Sequence, residues 1–244
     1  MSRGRRSLAL FLDIDGTLID LAPKPHLVEV PGFLPPLLRE LAERLDGALA
    51  LVSGRALAEV DRLFPGLDTA AGSHGGEWRL DGTMRAGVAA IPELDALAAG
   101  AETLPGILVE RKPMGVAMHY RDNPQLAGQV RALARRTIER ADQSLRLIDG
   151  KSVVEVVPAG IDKGTAITRF MNAPAFMGRV PVYVGDDVTD ECGFRAVNRL
   201  DGVSIRVGGT QGSAANRELS SPRAVRRWLK ILHRQATGGN HAQS

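Results

Sequence analysis

Three short apolar segments of this chain end in polar residues, and this arrangement constrains its possible folds more than any other feature. The segments are LALFL at residues 8–12, followed by Asp13 and Asp15, ALALV at residues 48–52, followed by Ser53-Gly54-Arg55, and VPVYV at residues 180–184, followed by Gly185-Asp186-Asp187. Continuous apolar runs of this length are typical of strands buried on both faces of a parallel sheet. We therefore predict such a sheet here.

Apolar residues recur at helical spacing between and after these segments, which predicts helices at residues 34–45, 56–64, 163–171, 190–197 and 222–232. A further strand is predicted at residues 202–207. Strands that alternate with helices indicate right-handed βαβ units, and hence an α/β core with a doubly wound, Rossmann-like parallel sheet. In such sheets ligands bind at the carboxyl ends of the strands, where all three polar clusters are expected.

The sequence between these core segments has a different pattern. Helices are predicted at residues 91–104 and 125–141, and apolar and polar residues alternate around residues 116–121 and 151–157. This alternation predicts a sheet with one covered and one open face. We therefore expect a core domain of residues 1–79 and 159–244, interrupted by an inserted α+β domain of residues 80–158.

Composition excludes several classes of protein. The chain has 244 residues, a net charge of only +3 and 4% aromatic residues, so a nucleic-acid-binding surface is not expected. Its single cysteine, Cys192, cannot form an intramolecular disulfide, which fits a reducing cytoplasm. No apolar stretch approaches the roughly 20 residues of a membrane span. We therefore expect a cytoplasmic monomer that binds a small molecule.

The aspartates at the strand ends predict a metal site. Five acidic side chains would converge at one edge of the sheet, namely Asp13, Asp15, Asp186, Asp187 and Asp190. So many carboxylates cannot lie together as bare anions, and a divalent cation would offset their charge. Because the available ligands are all oxygen atoms, the favoured ion is Mg2+.

The other strand-end residues suit a phosphate group. Lys163 begins a predicted helix, and Ser53, Gly54 and Arg55 offer a hydroxyl, a backbone N–H and a cation. Gly16-Thr17 would let the chain turn back over a phosphoryl group. A metal ion, a lysine and a helix N-terminus around one point are typical of phosphoryl transfer. One strand-end carboxylate could then act as nucleophile, and the second could transfer a proton.

Taken together, the DxDGT, S, K and GDDxTD motifs resemble those of the haloacid dehalogenase-like phosphatases. The resemblance implies that Asp13 is the nucleophile, that Asp15 is the general acid and base, and that Ser53 and Lys163 bind phosphate. It also implies that the metal is held by Asp13, the backbone carbonyl of Asp15, and Asp186.

The remaining residues near these motifs receive lesser roles. Asp187 and Asp190 are expected to contact the metal ligands and not the metal itself. Thr17, Gly54 and Arg55 are expected to contact the phosphate. The inserted domain resembles the C2-type cap domain of this superfamily, which selects the substrate.

The inserted domain and its flanks resemble the trehalose-6-phosphate phosphatases, and this match extends over nearly the whole chain. The matching stretches are GSHGGEW at residues 72–78, ERK at residues 110–112, HYR at residues 119–121 and GKSVVE at residues 150–155. The resemblance implies that Glu110, Lys112 and Glu155 bind the glucosyl unit that carries no phosphate, with His74 and Arg121 nearby. It predicts a Mg2+-dependent phosphoric monoester hydrolase that converts trehalose 6-phosphate to trehalose.

Alternatives remain open from the sequence. The same chemistry could act on another sugar phosphate, such as sucrose 6-phosphate or a glycosyl-phosphoglycerate. A phosphomutase is disfavoured because no residue marks a retained phosphosugar. A non-catalytic sugar-phosphate-binding domain is disfavoured because the acidic residues needed for catalysis are all present.

Overall fold

The structure is a computed structural model that describes residues 7–86, 91–112, 114–209 and 212–238. The predicted domain ends at residues 1–6 and 239–244 lie outside this range. The chain divides into two compact units, with boundaries between Arg85 and Ala86 and between Ile161 and Asp162. Unit 1 contains the two outer segments of the chain, and unit 2 is the segment between them.

The described residues form twelve strands and seven α-helices. The strands are β1 (Leu8–Leu12), β2 (Leu49–Val52), β3 (Ala70–Gly72), β4 (Glu77–Leu80), β5 (Thr83–Ala86), β6 (Leu108–Lys112), β7 (Gly115–His119), β8 (Leu145–Gly150), β9 (Val153–Pro158), β10 (Val180–Gly185), β11 (Val203–Val207) and β12 (Arg217–Leu219). The helices are α1 (Leu34–Arg44), α2 (Leu57–Leu63), α3 (Pro92–Glu102), α4 (Ala127–Arg140), α5 (Lys163–Met171), α6 (Glu191–Arg199) and α7 (Pro222–Gly238).

Unit 1 is built on an eight-stranded sheet in the order β12-β11-β10-β1-β2-β3-β4-β5. The pairs from β12 through to β3 are all parallel, and β4 runs antiparallel to β3. The chain adds β2 and β3 on one side of β1, and later adds β10, β11 and β12 on the other side. The direction of sheet growth therefore reverses between β1 and β10, and such a switch point is where α/β sheets bind ligands. The predicted α/β fold class is confirmed.

The apolar run at the start of the chain forms the centre of this sheet. Phe11 of β1 is fully buried, and its ring stacks on the rings of Phe176 and Phe170 at centroid distances of 5.3 and 6.3 Å. Because β1 has a parallel neighbour on each side and apolar packing on its faces, its position is fixed along the strand direction and across the sheet. The residue that follows Leu12 is therefore held at a defined point.

Unit 2 contains a four-stranded antiparallel sheet in the order β6-β7-β9-β8. Side chains on one face of its two central strands pack with α3 and α4 in a separate apolar core, as Met118, Val154 and Val156 illustrate. The opposite face carries Glu110, Ala117 and Glu155 in one row across three strands. The pattern predicted an open face here, but Ala117 and Glu155 are buried.

The unit boundaries differ from the predicted domain boundaries of residues 80 and 158. β5 continues the large sheet beyond β4, so residues up to Arg85 belong to unit 1. At the other end, the Ala159 N–H donates to the Ser144 carbonyl, which ties that segment to β8 of unit 2. Sheet membership sets both boundaries, since β5 extends the large sheet beside β4 and Ala159 bonds to the residue before β8, and the apolar pattern alone does not reveal either.

Candidate active site

The candidate site of unit 1 lies at the carboxyl ends of β1 and β10, which are adjacent parallel strands. Asp13 follows β1, is 4% exposed, and its N–H donates to the Val184 carbonyl at 2.9 Å. One carboxylate oxygen from each of Asp13, Asp186 and Asp190 lies within 4.8 Å of the others. The switch point of the sheet therefore brings three acidic side chains into one cluster that could hold a metal ion.

Lys163 places a positive charge inside this cluster. Its Nζ lies 2.7 Å from Asp13 Oδ1 and 2.6 Å from Asp190 Oδ1, and the side chain is 3% exposed. The helix that carries it begins with a capping box, in which Asp162 accepts from the Thr165 N–H and Thr165 Oγ1 accepts from the Asp162 N–H. This cap fixes the start of α5, and with it the origin of the Lys163 side chain.

Asp190 holds several parts of the site together. Its Oδ2 accepts hydrogen bonds from the N–H groups of Asp186 and Asp187 at 2.8 and 2.9 Å. Its Oδ1 accepts from Lys163 and from the hydroxyl of buried Tyr183. Asp190 therefore shapes the loop that carries Asp186, in addition to contributing an oxygen atom to the acidic cluster.

Asp187 and Thr17 lie beside the cluster. Asp187 is exposed and precedes the short 3-10 helix Val188–Asp190, its carbonyl accepts from the Asp190 N–H at 3.0 Å, and it is not a member of the cluster. The buried Thr17 hydroxyl donates to Asp186 Oδ1 at 3.4 Å. Both residues thus contact acidic residues of the site, while the phosphate role predicted for Thr17 stays a prediction.

Asp15 is separated from the cluster by its pairing with an arginine. Its two carboxylate oxygens accept from Arg55 Nε and Arg55 Nη2 at 2.6 and 2.7 Å. Ser53 lies at the end of β2, is buried, and its hydroxyl accepts from the Arg55 N–H at 3.1 Å. The polar residues after β2 therefore contact the polar residues after β1, through the pair of Arg55 and Asp15.

Two glycines allow close approaches within the site. Gly16 has a φ of +72°, and a Cβ at this position would lie 2.0 Å from Asp186 Oδ2. A Cβ at Gly54 would lie 2.7 Å from Cε1 of the buried His74 ring. Gly54 is therefore held against the side chain of His74, and Gly16 against a member of the acidic cluster.

The charges within the cluster do not balance. Burial, together with the negative charges of Asp190 and Asp186, holds the pKa of Asp13 well above its usual range, against the opposing effect of Lys163. Burial and the charge of Asp190 likewise raise the pKa of Asp186 to about 7. Although burial opposes it, Lys163 holds the pKa of Asp190 below its ordinary value. One lysine thus offsets only part of the negative charge of three carboxylates, which fits the binding of a divalent cation.

The polar face of the unit 2 sheet carries two charged pairs. Lys112 Nζ lies 3.0 Å from Glu155 Oε2, and His119 Nε2 lies 3.1 Å from Glu110 Oε2. The hydrogen bond with His119, together with the charge of Lys112, lowers the pKa of Glu110 although burial opposes it. Arg121 follows β7 and is exposed. Of the predicted sugar-binding residues, these lie in unit 2, whereas His74 belongs to unit 1.

Sequence reasoning missed two residues that organise the core site. Tyr183 interrupts an otherwise aliphatic strand, and this was the available signal that its hydroxyl has a polar partner. Glu77 lies in the GSHGGEW stretch, and its Oε2 accepts from Ser73 Oγ at 2.8 Å and from the Leu57 N–H at 3.1 Å. Glu77 therefore satisfies the first N–H of α2, next to Arg55.

Comparison with known proteins identifies the family. Residues 11–225 match the family model described as trehalose-phosphatase. The chain belongs to the trehalose-phosphatase family. A relative from Sinorhizobium fredii, named as a probable trehalose-phosphate phosphatase, is 46% identical over 82% of this chain and 77% of its own length. The trehalose-6-phosphate phosphatase of Escherichia coli is 40% identical over 92% of this chain and 86% of its own length.

Solved structures agree with this family. A crystal structure described as a trehalose-6-phosphate phosphatase related protein has a TM-score of 0.76 and 26% identity, covering 95% of this chain and 99% of its own. The C-terminal domain of the Candida albicans trehalose-6-phosphate phosphatase has a TM-score of 0.78 at 22% identity, covering 93% and 92%, and supports the fold. Family membership confirms the predicted resemblance and the enzyme class, a phosphatase.

Within the described ranges, no helix is both long enough and apolar enough to cross a membrane.

Gly16 provides a test of the acidic cluster in this trehalose-phosphatase family member. We expect Gly16→Ala to abolish most phosphatase activity, because its Cβ would displace Asp186. Gly160→Ala is the matched control, since Gly160 has a φ of +79° but nothing within 4 Å of an added Cβ. Both substitutions cost about 1 kcal/mol of stability through backbone strain, and Gly16→Ala loses more because its Cβ also displaces Asp186, so activity is compared at a temperature where both variants are folded. Equal activity of the two variants would contradict the assigned close contact.

The raised pKa of Asp186 predicts how metal stabilisation depends on pH. The ordinary value is 3.8, so between about pH 4 and 7 the folded metal-free protein binds more protons than the unfolded chain. This contribution to stability is lost as pH rises through 7. A divalent cation competes with those protons, and we expect Mg2+ to raise the unfolding temperature more at pH 8 than at pH 6.

Thermal unfolding in Mg2+ and in a chelator, at both pH values, measures this effect. Asp186→Asn should remove most of the difference, whereas Asp187→Asn should keep it because Asp187 lies outside the cluster. A Mg2+ shift that is equal at both pH values would argue against the pKa of Asp186 as its cause.

Proposed function

We propose that this chain hydrolyses trehalose 6-phosphate to trehalose and inorganic phosphate with the help of Mg2+. The observation that carries the proposal is the buried cluster of Asp13, Asp186 and Asp190, joined by Lys163 at the switch point of the sheet. The substrate follows from family membership and from the names of the relatives in Sinorhizobium and Escherichia.

The residues that would hold Mg2+ are the carboxylates of Asp13 and Asp186 and the backbone carbonyl of Asp15. Oxygen ligands of this kind suit Mg2+, and the raised pKa of Asp13 beside Asp190 and Asp186 supports a divalent ion that would favour its ionised form. When bound, the ion supplies positive charge that polarises a phosphoryl oxygen. Asp190 acts mainly by shaping the Asp186 loop through its contacts with two backbone N–H groups.

In the first step, an Asp13 oxygen attacks phosphorus while the bond to the 6-oxygen of the sugar breaks. Asp15 gives its proton to that departing oxygen, so trehalose leaves as an alcohol and Asp13 becomes an aspartyl phosphate. The ammonium of Lys163 lies 2.7 Å from Asp13 and offsets charge that builds up on the phosphoryl oxygens. Thr17, Ser53 and Gly54 complete the proposed phosphate contacts.

In the second step, water attacks phosphorus and the aspartyl phosphate bond breaks. Asp15, now a carboxylate, accepts a proton from that water, and phosphate leaves with Asp13 restored. The same residue therefore serves as acid and then as base. Its partly exposed position, with 31% of the side chain accessible, lets the attacking water reach it.

We further propose that unit 2 is a C2-type cap domain that recognises the sugar. Glu110, Lys112 and Glu155 lie on one face of its sheet, where carboxylates and an ammonium present both acceptors and donors to sugar hydroxyls. We assign them to the glucosyl unit that carries no phosphate, with His74 and Arg121 as further substrate contacts. A cytoplasmic location and a monomeric state stay predictions.

Phosphate release from trehalose 6-phosphate, measured with Mg2+ and with a chelator, tests the proposed reaction. Sucrose 6-phosphate and glucose 6-phosphate serve as competing substrates. We expect the highest kcat/KM with trehalose 6-phosphate, and loss of turnover in the chelator. Asp13→Asn should abolish turnover in a protein that still folds, although its unfolding temperature should fall because buried Lys163 loses a charged partner. Substantial Mg2+-dependent activity in Asp13→Asn, or a clear preference for another sugar phosphate, would reject the proposal.

The sugar-binding assignment has its own test. We expect Glu110→Ala and Glu155→Ala to raise KM at least tenfold for trehalose 6-phosphate, while 4-nitrophenyl phosphate changes little because it lacks the sugar hydroxyls. A control is Glu102→Ala, because Glu102 is on α3 and pairs with exposed Arg111. Equal changes for both substrates would show that these glutamates do not bind the sugar.

A further inference from the structure

Arg55 contacts Asp15 through two parallel hydrogen bonds. The Nε–Oδ2 distance is 2.6 Å and the Nη2–Oδ1 distance is 2.7 Å, so both carboxylate oxygens are engaged by one planar guanidinium. A bidentate contact of this type fixes the plane of the carboxylate as well as its position. The two residues are 40 positions apart, and the fold brings them together at the ends of β1 and β2.

The arginine is itself held firmly in place. Its side chain is only 7% exposed, its N–H donates to Ser53 Oγ, and its carbonyl accepts from the Ser73 N–H at 2.7 Å. A Cβ at Gly72 would lie 2.8 Å from that carbonyl oxygen, so the neighbouring strand approaches closely. Arg55 is therefore a rigid support, in contrast to the long, mobile arginines of a protein surface.

We infer that Arg55 is a positioning residue for Asp15, which it orients for proton transfer to and from the reacting oxygens. The inference rests on the proposed function and gives Arg55 a role other than the phosphate contact expected from the sequence. The guanidinium also stabilises the negative charge that Asp15 acquires when its proton passes to the sugar oxygen. The contribution of Arg55 to kcat/KM should therefore be larger for leaving groups that need a proton more.

Substrates whose leaving groups differ in basicity distinguish a role of Arg55 in positioning Asp15 from a role in binding phosphate. The alkoxide of trehalose is strongly basic and needs a proton as it leaves. Phenolate depends less on protonation, and 4-nitrophenolate leaves without it. We expect Arg55→Gln to lower kcat/KM by about 10²-fold for trehalose 6-phosphate, by an intermediate factor for phenyl phosphate, and by less than about threefold for 4-nitrophenyl phosphate. A phosphate-binding role would instead lower all three values equally, because the three substrates share the phosphate group.

A double-mutant cycle with Asp15→Asn tests the same point independently. If Arg55 acts through Asp15, adding Arg55→Gln to Asp15→Asn should cause little further loss on trehalose 6-phosphate, since the oriented group is already absent. Arg55→Lys keeps the charge but cannot form the two parallel bonds, so we expect it to recover only part of the lost activity. It also provides the comparison if Arg55→Gln does not fold.

Arg79→Gln is the matched control for damage to the fold. Arg79 belongs to the same unit and makes an equivalent two-bond contact with Asp61, at 2.9 and 2.7 Å, and Asp61 is not among the proposed catalytic residues. We expect this variant to keep the wild-type ratio of activities on the three substrates. A general loss of stability cannot produce the leaving-group pattern expected for Arg55→Gln.

The possible outcomes distinguish the inference from the proposed function. Equal losses on all three substrates, additivity with Asp15→Asn, or full recovery by Arg55→Lys would overturn the positioning role and favour phosphate binding. A wild-type enzyme that does not act on trehalose 6-phosphate would reject the proposed function. In that case the two aryl phosphates, with the double-mutant cycle measured on phenyl phosphate, would still test whether Arg55 acts through Asp15.

Discussion

The arrangement of this site depends on the buried ammonium of Lys163, which joins Asp13 to Asp190 across 150 and 27 residues of sequence. An isolated buried charge is very costly, so each of the three groups is stable in its position only while the others are present. Removing one partner of such a pair typically costs about 3–5 kcal/mol. The lysine therefore links the end of β1, the start of α5 and the loop after β10.

This linkage leaves the site with more negative than positive charge, and the protein uses that imbalance. The pKa of Asp13 and of Asp186 is raised, mainly by burial, while Asp190 keeps its charge because of Lys163. A divalent cation would lower the cost of ionising these groups, so the proposed binding of Mg2+ would also favour the ionised form of Asp13, the proposed nucleophile. Asp15, the proposed proton-transfer residue, is paired with Arg55 and lies outside this cluster with 31% of its side chain exposed.

Much of the core could be predicted because its signals are local. β1 spans Leu8–Leu12 and α5 spans Lys163–Met171, both as predicted, since an uninterrupted apolar run and a capped amphipathic segment each specify their own limits. The inserted segment was harder, because its limits depend on which sheet β5 and the residues before Asp162 join, and the sequence pattern does not show this. The expected open face of its sheet is also partly covered, at Ala117 and Glu155.

The sequence by itself determined the parallel sheet, the identity of its strand-end acids and the family resemblance that points to trehalose 6-phosphate. These depend on residue type and short-range order, which a linear pattern contains. Only the tertiary structure decided which polar groups face each other: Tyr183 with Asp190, Glu77 with the start of α2, and Arg55 with Asp15. An arginine can satisfy a phosphate or a carboxylate equally well, so its partner is set by what the fold places within about 3 Å.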